Sequence, residues 1–268
     1  MSTPLGNLED ITLRALRTLR EVDIIAAEDT RHSLKLLNHY DISKPLISYW
    51  SEKEKIRAEE ILDRLRSGLS VALISDAGTP GISDPGSVLI RQAIEEKIDI
   101  IAVPGPSAHT AALSVSGLPT EEFCFMGFLP SKSTQRRKRL IELKHETRTM
   151  IFYEAPHRLL QTLADAMELS GDRRVAVAKE ISKIHEEIFR GTISNVLASL
   201  HNKMIAGEYV IVMEGFSKQE PGFEEALLEV SALMKKGLGR KEAVKTVAGI
   251  YGISKKELYD RSLMLNTT

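Results

Sequence analysis

A loop of unusual composition follows an apolar segment in the first third of the chain. Residues 75–86 read SDAGTPGISDPG and come directly after the apolar run LSVALI at 69–74. A strand-to-helix connection needs only about 2 to 6 residues, whereas this one has twelve. Its glycines leave the backbone open to close approach, and loops of this kind often carry binding residues. We therefore expect the loop to line a ligand site, although Gly and Pro also serve simply to turn a chain.

Three further loops rich in glycine or proline have the same character. They are TPLGN at residues 3–7, PGPS at 104–107 and MGFLP at 126–130. Open α/β sheets bind ligands outside the carboxyl ends of their strands, so a parallel sheet would bring these loops into one cleft. None of them contains the G-x-G-x-x-G fingerprint or a Walker lysine, which disfavours NAD and nucleoside triphosphates. Backbone amides and carbonyls in such a cleft suit a ligand with a zwitterionic end and an adenine ring.

Basic residues are concentrated between residues 131 and 158. This segment has eight Lys and Arg against three Glu, in a chain whose formal net charge is −1. Such a run is often the solvated face of an amphipathic helix, but its concentration favours contact with phosphates. The candidate RNA-binding residues here are Arg136, Arg137, Lys138, Arg139 and Arg158. Arg31 is another, next to a helix start that Asp29 or Thr30 would cap.

Composition indicates a globular protein without a membrane span. Hydrophobic residues make up 43% and charged residues 27% of the 268 residues, and the apolar runs are too short to cross a bilayer. Met1 leads directly into STPLG, so we expect no secretory signal. Cys124 is the only cysteine, which excludes an internal disulfide and a cysteine-built zinc site. The histidine spacing suggests no metal, and a reducing cytoplasm is the expected location.

Apolar segments typical of buried strands alternate with helical patterns. The first set of predicted strands is 23–27, 46–50, 71–75 and 98–103, with helices at 53–66 and 88–96. A small-residue helix at 107–116, in which His109 is expected to be packed, ends at Gly117 and Pro119. The second set of strands is 149–153, 175–179, 187–191 and 209–214, with helices at 157–167 and 195–204.

This alternation predicts an α/β protein with parallel or mostly parallel sheets covered by helices. We expect two α/β domains, at 1–117 and 118–220, with a cleft between them. The remaining residues, 221–268, have no strand signal and predict a small helical tail. Its turn at Gly252 gives it the spacing of a helix-turn-helix unit, whose basic residues would either hold RNA or only dock. The spacing alone also fits a DNA reader.

Nine motifs resemble, in order and spacing, the ribosomal RNA small subunit methyltransferase I family of the tetrapyrrole methylase fold. They are STPLGN, AEDTR, SDAGTPGISDPG, PGPSAHTAAL, GFLP, YEAPHR, KEISKIHEE, FRG and GEYVIVMEG. The resemblance extends from residue 2 to about residue 260. The family usually has Arg and Thr at the first and fourth positions of KEISK. It also has apolar residues before STPLGN that form a first strand; only Met1 precedes the motif here, so we expect that strand to be short or truncated.

The resemblance implies a homodimer that binds S-adenosylmethionine and methylates the 2′-hydroxyl of a cytidine in the decoding region of 16S rRNA. It leaves open whether free rRNA or an assembled 30S particle is the substrate. By the same match, the cofactor-binding residues would be Pro4, Leu5, Gly6, Gly78, Thr79, Ser83, Asp84, Ser107, Thr110, Ala111, Phe128, Leu129 and Tyr209.

Methyl transfer from a sulfonium is an in-line displacement in which positioning matters most, and it requires no metal. A neutral ribose hydroxyl is a weak nucleophile, so a base or a nearby cation would help. The candidates are Lys183, Glu180, Glu154 and His157. A lysine acts as a base only where burial or neighbouring cations lower its pKa; otherwise it would pair with phosphate or the developing oxyanion. Glu180 and Lys183 also fit an ordinary salt bridge at a strand end.

Two other functions are compatible with the sequence. One is a methylase of the same fold that acts on a small tetrapyrrole precursor, because fold alone does not separate the substrates. The other is a non-catalytic RNA-binding assembly factor with a vestigial cofactor cleft. The basic segment and the basic tail favour RNA over a porphyrinoid.

Overall fold

The computed structural model describes residues 1–201, 203–216 and 223–263, apart from the side chains of residues 53, 223 and 224. The chain divides into two compact units, Met1–Gly215 and Phe216–Thr268. The first unit contains two β-sheets with helices on their faces, and the described part of the second is helical. The prediction of an α/β fold with C-terminal helices is therefore confirmed.

The first sheet is parallel and has helices on both faces. Its strands are β1 (Ile24–Ala27), β2 (Leu46–Ser48) and β3 (Val71–Ile74), in the order β2-β1-β3. The helices around it are α1 (Leu13–Glu21), α2 (Thr30–His39), α3 (Glu54–Arg66) and α4 (Ser87–Glu95). Helices α1 and α2 bury their apolar residues in one cluster, and α3 and α4 bury theirs in another. A parallel sheet needs this cover because both of its faces are apolar.

The strand predicted at 98–103 is not formed. Val103 is buried and its carbonyl accepts a hydrogen bond from the Ser2 amide at 3.2 Å, but Ile101 is 72% exposed. Within the described residues no neighbouring strand offers this segment a hydrogen-bonding ladder. The expected first strand is reduced to an isolated bridge between Thr3 and Gly78. An apolar run predicted a strand here, but pairing decides whether one forms.

The second sheet is mixed, which corrects the expectation of a mostly parallel one. Its strands are β4 (Phe123–Phe128), β5 (Thr149–Glu154), β6 (Arg174–Lys179), β7 (Glu187–Thr192) and β8 (Tyr209–Met213), in the order β4-β5-β8-β6-β7. Only β4 and β5 are parallel. A short loop joins β6 to β7 as a hairpin, and β8 runs antiparallel to both of its neighbours. Strand β4, which contains the half-buried Cys124, has no counterpart among the predicted strands.

Helices cover both faces of the second sheet. The large cluster on one face takes residues from α6 (Ser133–Glu142), α7 (Leu159–Ser170) and α8 (Ile193–Leu200). On the other face, Ala112 and Leu113 of α5 (Ala108–Ser114) pack against residues such as Ile151 and Val212. Helix α5 precedes the predicted boundary at 117–118, yet it packs on the second sheet.

The second unit contains α9 (Phe223–Lys235), α10 (Arg240–Tyr251) and α11 (Lys255–Ser262), which share a small apolar cluster. Gly252 ends α10 in the left-handed conformation with φ +68°, and Ser254 caps α11. The predicted turn at Gly252 is therefore confirmed. In the ranges that the structure covers, no helix has the length and apolar character to span a membrane.

Candidate functional site

A cavity of about 300 Å³ lies where loops from the two sheets meet. Residues 77–79, 82 and 84 of the glycine-rich loop after β3 form one side, and Ser107, directly before α5, forms another. The ends of β4 and β5 contribute Phe128 and residues 153–156, and 207–210 come from the start of β8. The volume is at the lower end of the range for small-molecule sites.

The structure brings seven of the predicted cofactor-binding residues to this cavity: Leu5, Gly78, Thr79, Asp84, Ser107, Phe128 and Tyr209. Pro4 and Gly6 flank Leu5 in the chain. The Thr110 hydroxyl lies 3.1 Å from that of Ser107, and Ser83 packs near Gly127. Ala111 lines a neighbouring cavity instead. Leu129 is buried in the core of the second sheet, away from the lining.

Backbone bonds fix the chain start against the glycine-rich loop. Thr3 and Gly78 exchange two hydrogen bonds, of 2.8 and 3.0 Å between nitrogen and oxygen. The hydroxyls of Ser2 and Thr79 are 2.8 Å apart. Gly78 has φ +76°, a conformation that side chains with a Cβ rarely adopt. The loop that lines the cavity is therefore held rigidly by the first residues of the chain.

His109 and Tyr153 line the cavity as well, and the sequence reasoning did not place them there. The His109 ring stacks on Phe125 with centroids 4.6 Å apart, and its Nδ1 lies 3.3 Å from the Tyr153 hydroxyl. Burial lowers the pKa of His109, which favours the neutral imidazole. His109 is packed, as expected, and also faces the site. Its position beside Ser107 in PGPSAHTAAL was the available signal.

The rim of the cavity near Asp84 is acidic. Burial, and then the negative charge of Glu28, raise the pKa of Asp84 to about 6. Burial also raises the pKa of Glu28, whose carboxylate accepts a hydrogen bond from the Asp76 amide at 3.3 Å. Carboxylates that are costly to ionise gain from a cationic neighbour. This side of the cavity therefore favours a positively charged ligand.

Lys183 and Glu180 lie together in the loop after β6, next to the cavity residue Glu208 but outside the cavity lining. Lys183 Nζ is 2.9 Å from Glu180 Oε1 and 3.2 Å from Glu208 Oε2. Burial alone would lower the pKa of Lys183, but the hydrogen bond to Glu180 and the charge of Glu208 raise it overall. Glu180 and Ser182 adopt positive φ angles of 51° and 69°, which is strained for residues with a Cβ. Lys183 is therefore a stable ammonium and does not have the lowered pKa of a general base.

Glu154 and His157 lie in different surroundings, because Glu154 is buried and His157 is exposed. Glu154 is 2% exposed and accepts hydrogen bonds from Thr162 Oγ1 at 2.6 Å and from the Ala155 amide at 2.8 Å. Its carboxylate also binds Arg158 at 2.7 Å. His157 is exposed. The Glu154 carboxylate thus holds the start of α7, and Arg158 is engaged in an ion pair instead of projecting freely.

Ion pairs within the protein occupy most of the predicted RNA-binding segment. Arg136, one of the predicted RNA-binding residues, is 3% exposed and lies 2.7 Å from Asp165, so its guanidinium is directed into the protein. Arg137 binds Asp165 at 2.9 Å and Glu168 at 2.5 Å, and Arg139 binds Glu142 at 3.0 Å. Of these four consecutive residues, only Lys138 has no carboxylate within 4 Å in the part of the chain that the structure describes.

A second, more open cavity of about 550 Å³ adjoins the first and shares Leu5 and Ser107 with it. Asn7, Asp10 and Thr12 line it from the segment before α1, and Ser182 and Glu186 line it from the β6–β7 loop. Ser182, which precedes Lys183, thus lines the second cavity, and Glu208, which binds the Lys183 ammonium, lines the first. Nowhere in the described ranges, the two cavities included, do His, Cys, Asp and Glu side chains form a group of three or more that could hold a metal ion.

Comparisons with known proteins agree with this geometry. A profile of tetrapyrrole (corrin/porphyrin) methylases matches residues 2–197. The ribosomal RNA small subunit methyltransferase I of Halalkalibacterium halodurans is 45% identical over 97% of this chain and 92% of its own length. The protein of that name from Thermotoga maritima is 50% identical over 80% of this chain and 96% of its own. The chain belongs to the ribosomal RNA small subunit methyltransferase I family.

Solved structures place the family fold among tetrapyrrole methylases. A cobalt precorrin-4 methyltransferase matches with a TM-score of 0.59 and 18% identity, over 80% of this chain and 92% of its own. Diphthine synthase matches with a TM-score of 0.60 and 14% identity, over 79% and 87%. A uroporphyrin-III C-methyltransferase from Thermus thermophilus, complexed with S-adenosylhomocysteine, matches with a TM-score of 0.54 and 18% identity. The match covers 78% of this chain and 94% of that protein. These likenesses show the fold that the small subunit methyltransferase I family shares.

Proposed function

We propose that the protein is an S-adenosylmethionine-dependent methyltransferase that modifies the 2′-hydroxyl of a cytidine in the decoding region of 16S rRNA. The observation that carries the proposal is the meeting of loops from both sheets around one cavity. Seven residues picked out by family motifs line that cavity. The names of the relatives supply the class of substrate. Cytidine, the 2′-oxygen and the decoding region rest on the family resemblance.

The cavity has the groups that this cofactor needs. The Tyr209 hydroxyl is buried, near the Ala206 backbone, and makes no hydrogen bond of good geometry within the described residues. A ligand atom would satisfy it. The acidic rim near Asp84 suits the positive charge of the cofactor. Gly78 has no side chain, so the cofactor can approach the backbone there. Phe128, 55% exposed at the cavity, offers a ring face. The bound cofactor would supply a methyl group activated by its sulfonium.

The groups around Lys183 would handle the proton of the acceptor hydroxyl. Glu208 lines the cavity and is 75% exposed at its side chain, so it is the carboxylate with room to take a proton. The Lys183 ammonium remains charged throughout, and it would offset the negative charge that develops on the oxygen. Glu180 accepts from both Lys183 Nζ at 2.9 Å and the Glu208 amide at 2.8 Å, and so positions the pair.

The acceptor would enter through the second cavity. That cavity is open, shares Leu5 with the first and has hydroxyl, amide and carboxylate groups along its walls. Such groups suit the hydroxyls and base edge of a nucleoside splayed out of its stack. We propose a homodimer acting in the cytoplasm on the small subunit or its rRNA. Light scattering of the purified protein tests the dimer.

A methyl-transfer assay tests the function. The protein would be incubated with labelled S-adenosylmethionine and with 30S particles, free 16S rRNA or a porphyrinoid, and the RNA would be digested to nucleosides. We expect label in 2′-O-methylcytidine from one of the RNA substrates. Label in the porphyrinoid alone would support the small-molecule methylase. RNA binding without transfer to any substrate would support the assembly factor.

A further inference from the structure

The helices on the two faces of the first sheet differ in charge. Helices α1 and α2, on one face, carry five Arg and Lys residues and a single Glu. Helices α3 and α4, on the other face, carry five Arg and Lys residues and five Asp and Glu residues. Only the α1–α2 face therefore has an excess of positive charge within its helices.

The cations on the two faces also differ in their partners. On α3, Arg66 binds Glu59, Asp63 and Glu96, at 2.7, 2.7 and 2.5 Å, and Arg57 binds Glu60. On α1, the Arg17 Nε lies 3.9 Å from Glu21, and both side chains are 68% exposed. Such a loose surface pair contributes little.

The remaining cations on the α1–α2 face include three that are exposed and available: Arg14, Arg31 and Lys35. Throughout the ranges that the structure describes, no carboxylate lies within 4 Å of any of them. Arg31 and Lys35 are four residues apart and so lie on the same side of α2. His32 and His39, also on α2, add two exposed groups that carry no negative charge.

The two helices lie side by side and reach both cavities. The Arg20 guanidinium at the end of α1 donates to the Tyr40 carbonyl at the end of α2, at 3.3 Å. Their opposite ends lie at the carboxyl edge of the sheet. There Thr12, which caps α1, lines the second cavity. The amide of Asp29, which caps α2, donates to Asp76 at 3.1 Å, next to the cavity residue Ala77.

Two carboxylates at this edge are engaged with the backbone. Glu28 accepts from the Asp76 amide, and Asp29 Oδ1 accepts from the Arg31 amide at 2.8 Å. These carboxylates therefore do not pair with the exposed cations of α1 and α2. Unpaired cations on two helices whose first residues lie at the cavities suit a polyanion whose chain continues into a cavity.

We propose that the outer face of α1 and α2 binds the backbone phosphates of the RNA on one side of the target nucleotide, through Arg14, Arg31 and Lys35. This proposal rests on the proposed function, because it assigns a surface for that RNA. The α1–α2 face takes the RNA-binding role that the sequence predicted for the basic segment on α6. The arginines of that segment are held by Asp165, Glu168 and Glu142. Phosphate contacts of this kind position the RNA without reading its sequence.

Two matched triple variants test the surface. Arg14→Gln/Arg31→Gln/Lys35→Gln removes three exposed cations from the α1–α2 face. Lys55→Gln/Arg64→Gln/Arg91→Gln removes three exposed cations from the α3–α4 face. Both change the net charge equally, so only the position of the charges differs. Affinity for 30S particles and for a 16S rRNA fragment containing the decoding region would be measured by filter binding between 50 and 200 mM salt, with S-adenosylmethionine affinity measured by calorimetry.

We expect the first variant to bind RNA at least about tenfold more weakly at 100 mM salt, with a slope of log affinity against log salt that is shallower by about 2. The second should stay within about twofold of the unaltered protein, and both should keep their affinity for S-adenosylmethionine. Equal losses in the two variants, or none, would overturn the proposal, as would loss of S-adenosylmethionine binding in the first alone. Unaltered protein that binds S-adenosylmethionine but neither binds nor methylates RNA would instead overturn the proposed function, and the surface with it.

Discussion

The side chain of Lys183 lies directly on the backbone of Gly6. A Cβ built at Gly6 would be 2.5 Å from Lys183 Cγ and 2.8 Å from its Cε. The STPLGN loop and the β6–β7 loop are far apart in the sequence of the first compact unit, yet they meet at this one glycine. The absence of a side chain there is what lets the ammonium reach Glu180 and Glu208.

Alanine at Gly6 should disturb this arrangement without removing a charge. We expect Gly6→Ala to lower the rate of methyl transfer at least about tenfold, because the new methyl group displaces the Lys183 stem. The matched control is Gly68→Ala: Gly68 has φ +87°, and a Cβ there meets nothing within 4 Å. Gly6 has φ +149° and Gly68 has φ +87°, so both variants should lose on the order of 1 to 3 kcal/mol of stability from a positive φ, measured by urea unfolding. Equal activities in the two would show that the Gly6 contact has no role in the reaction.

Lys183→Met should separate charge from packing. Methionine keeps the apolar stem but removes the ammonium. We expect turnover to fall at least about 10²-fold with little change in S-adenosylmethionine affinity, as for a group that acts mainly in the transition state. Because the pKa of Lys183 is raised, Lys183→Arg should keep a substantial part of the activity. An inactive arginine variant with normal cofactor binding would argue against a purely electrostatic role.

Asp84→Asn should change how stability depends on pH. The folded pKa of about 6 lies above the ordinary value of 3.8, so ionisation destabilises the folded protein as pH rises between these values. We expect the asparagine variant to be more stable than the unaltered protein at pH 7, with the difference shrinking towards pH 4. Denaturant unfolding at both pH values measures this. A difference that grows on acidification would contradict the raised pKa.

Binding of a cationic cofactor should respond to the same carboxylate. Ionised Asp84 favours a positive ligand, so the affinity for S-adenosylmethionine should rise as pH increases through 6. The rise should be weaker for S-adenosylhomocysteine, which lacks the sulfonium charge, and weaker again in Asp84→Asn. Calorimetry across pH 5 to 8 gives all three curves, and identical slopes for the two ligands would remove Asp84 from contact with the sulfonium.

Arg136 and Lys138 should behave in opposite ways although they are two residues apart. Arg136→Ala leaves part of the buried Asp165 charge without its partner, and we expect a loss of about 3 kcal/mol in the free energy of unfolding. Lys138→Ala should be nearly neutral, because Lys138 is exposed. Urea unfolding of both variants measures the contrast. Similar stabilities would mean that the Asp165 pair contributes little to folding.

The sequence was sufficient for the parts of the fold that depend on local pattern and for the loops that meet at the cavity. The positions of Gly78, Asp84 and Ser107 followed from loop composition and motif order. It was insufficient where a partner distant in sequence decides the outcome. The apolar run at 98–103 lacks a strand to pair with, and Arg136 is turned inward by Asp165, 29 residues further along. The place of His109 in the cavity could not be predicted either, because it depends on the packing of α5 on the second sheet.

Helix α5 has one further consequence, for how the protein could be divided. Its first residues line the cavity beside the glycine-rich loop, but its apolar side covers Ile151, Val212 and their neighbours. Two fragments separated at residue 117 would leave the second sheet with a bare apolar face and should be insoluble or associate poorly. Cutting within the PGPS loop, before Ser107, keeps α5 on its own sheet. Co-expressed fragments made that way should reassemble, and the cavity would then be completed at their junction.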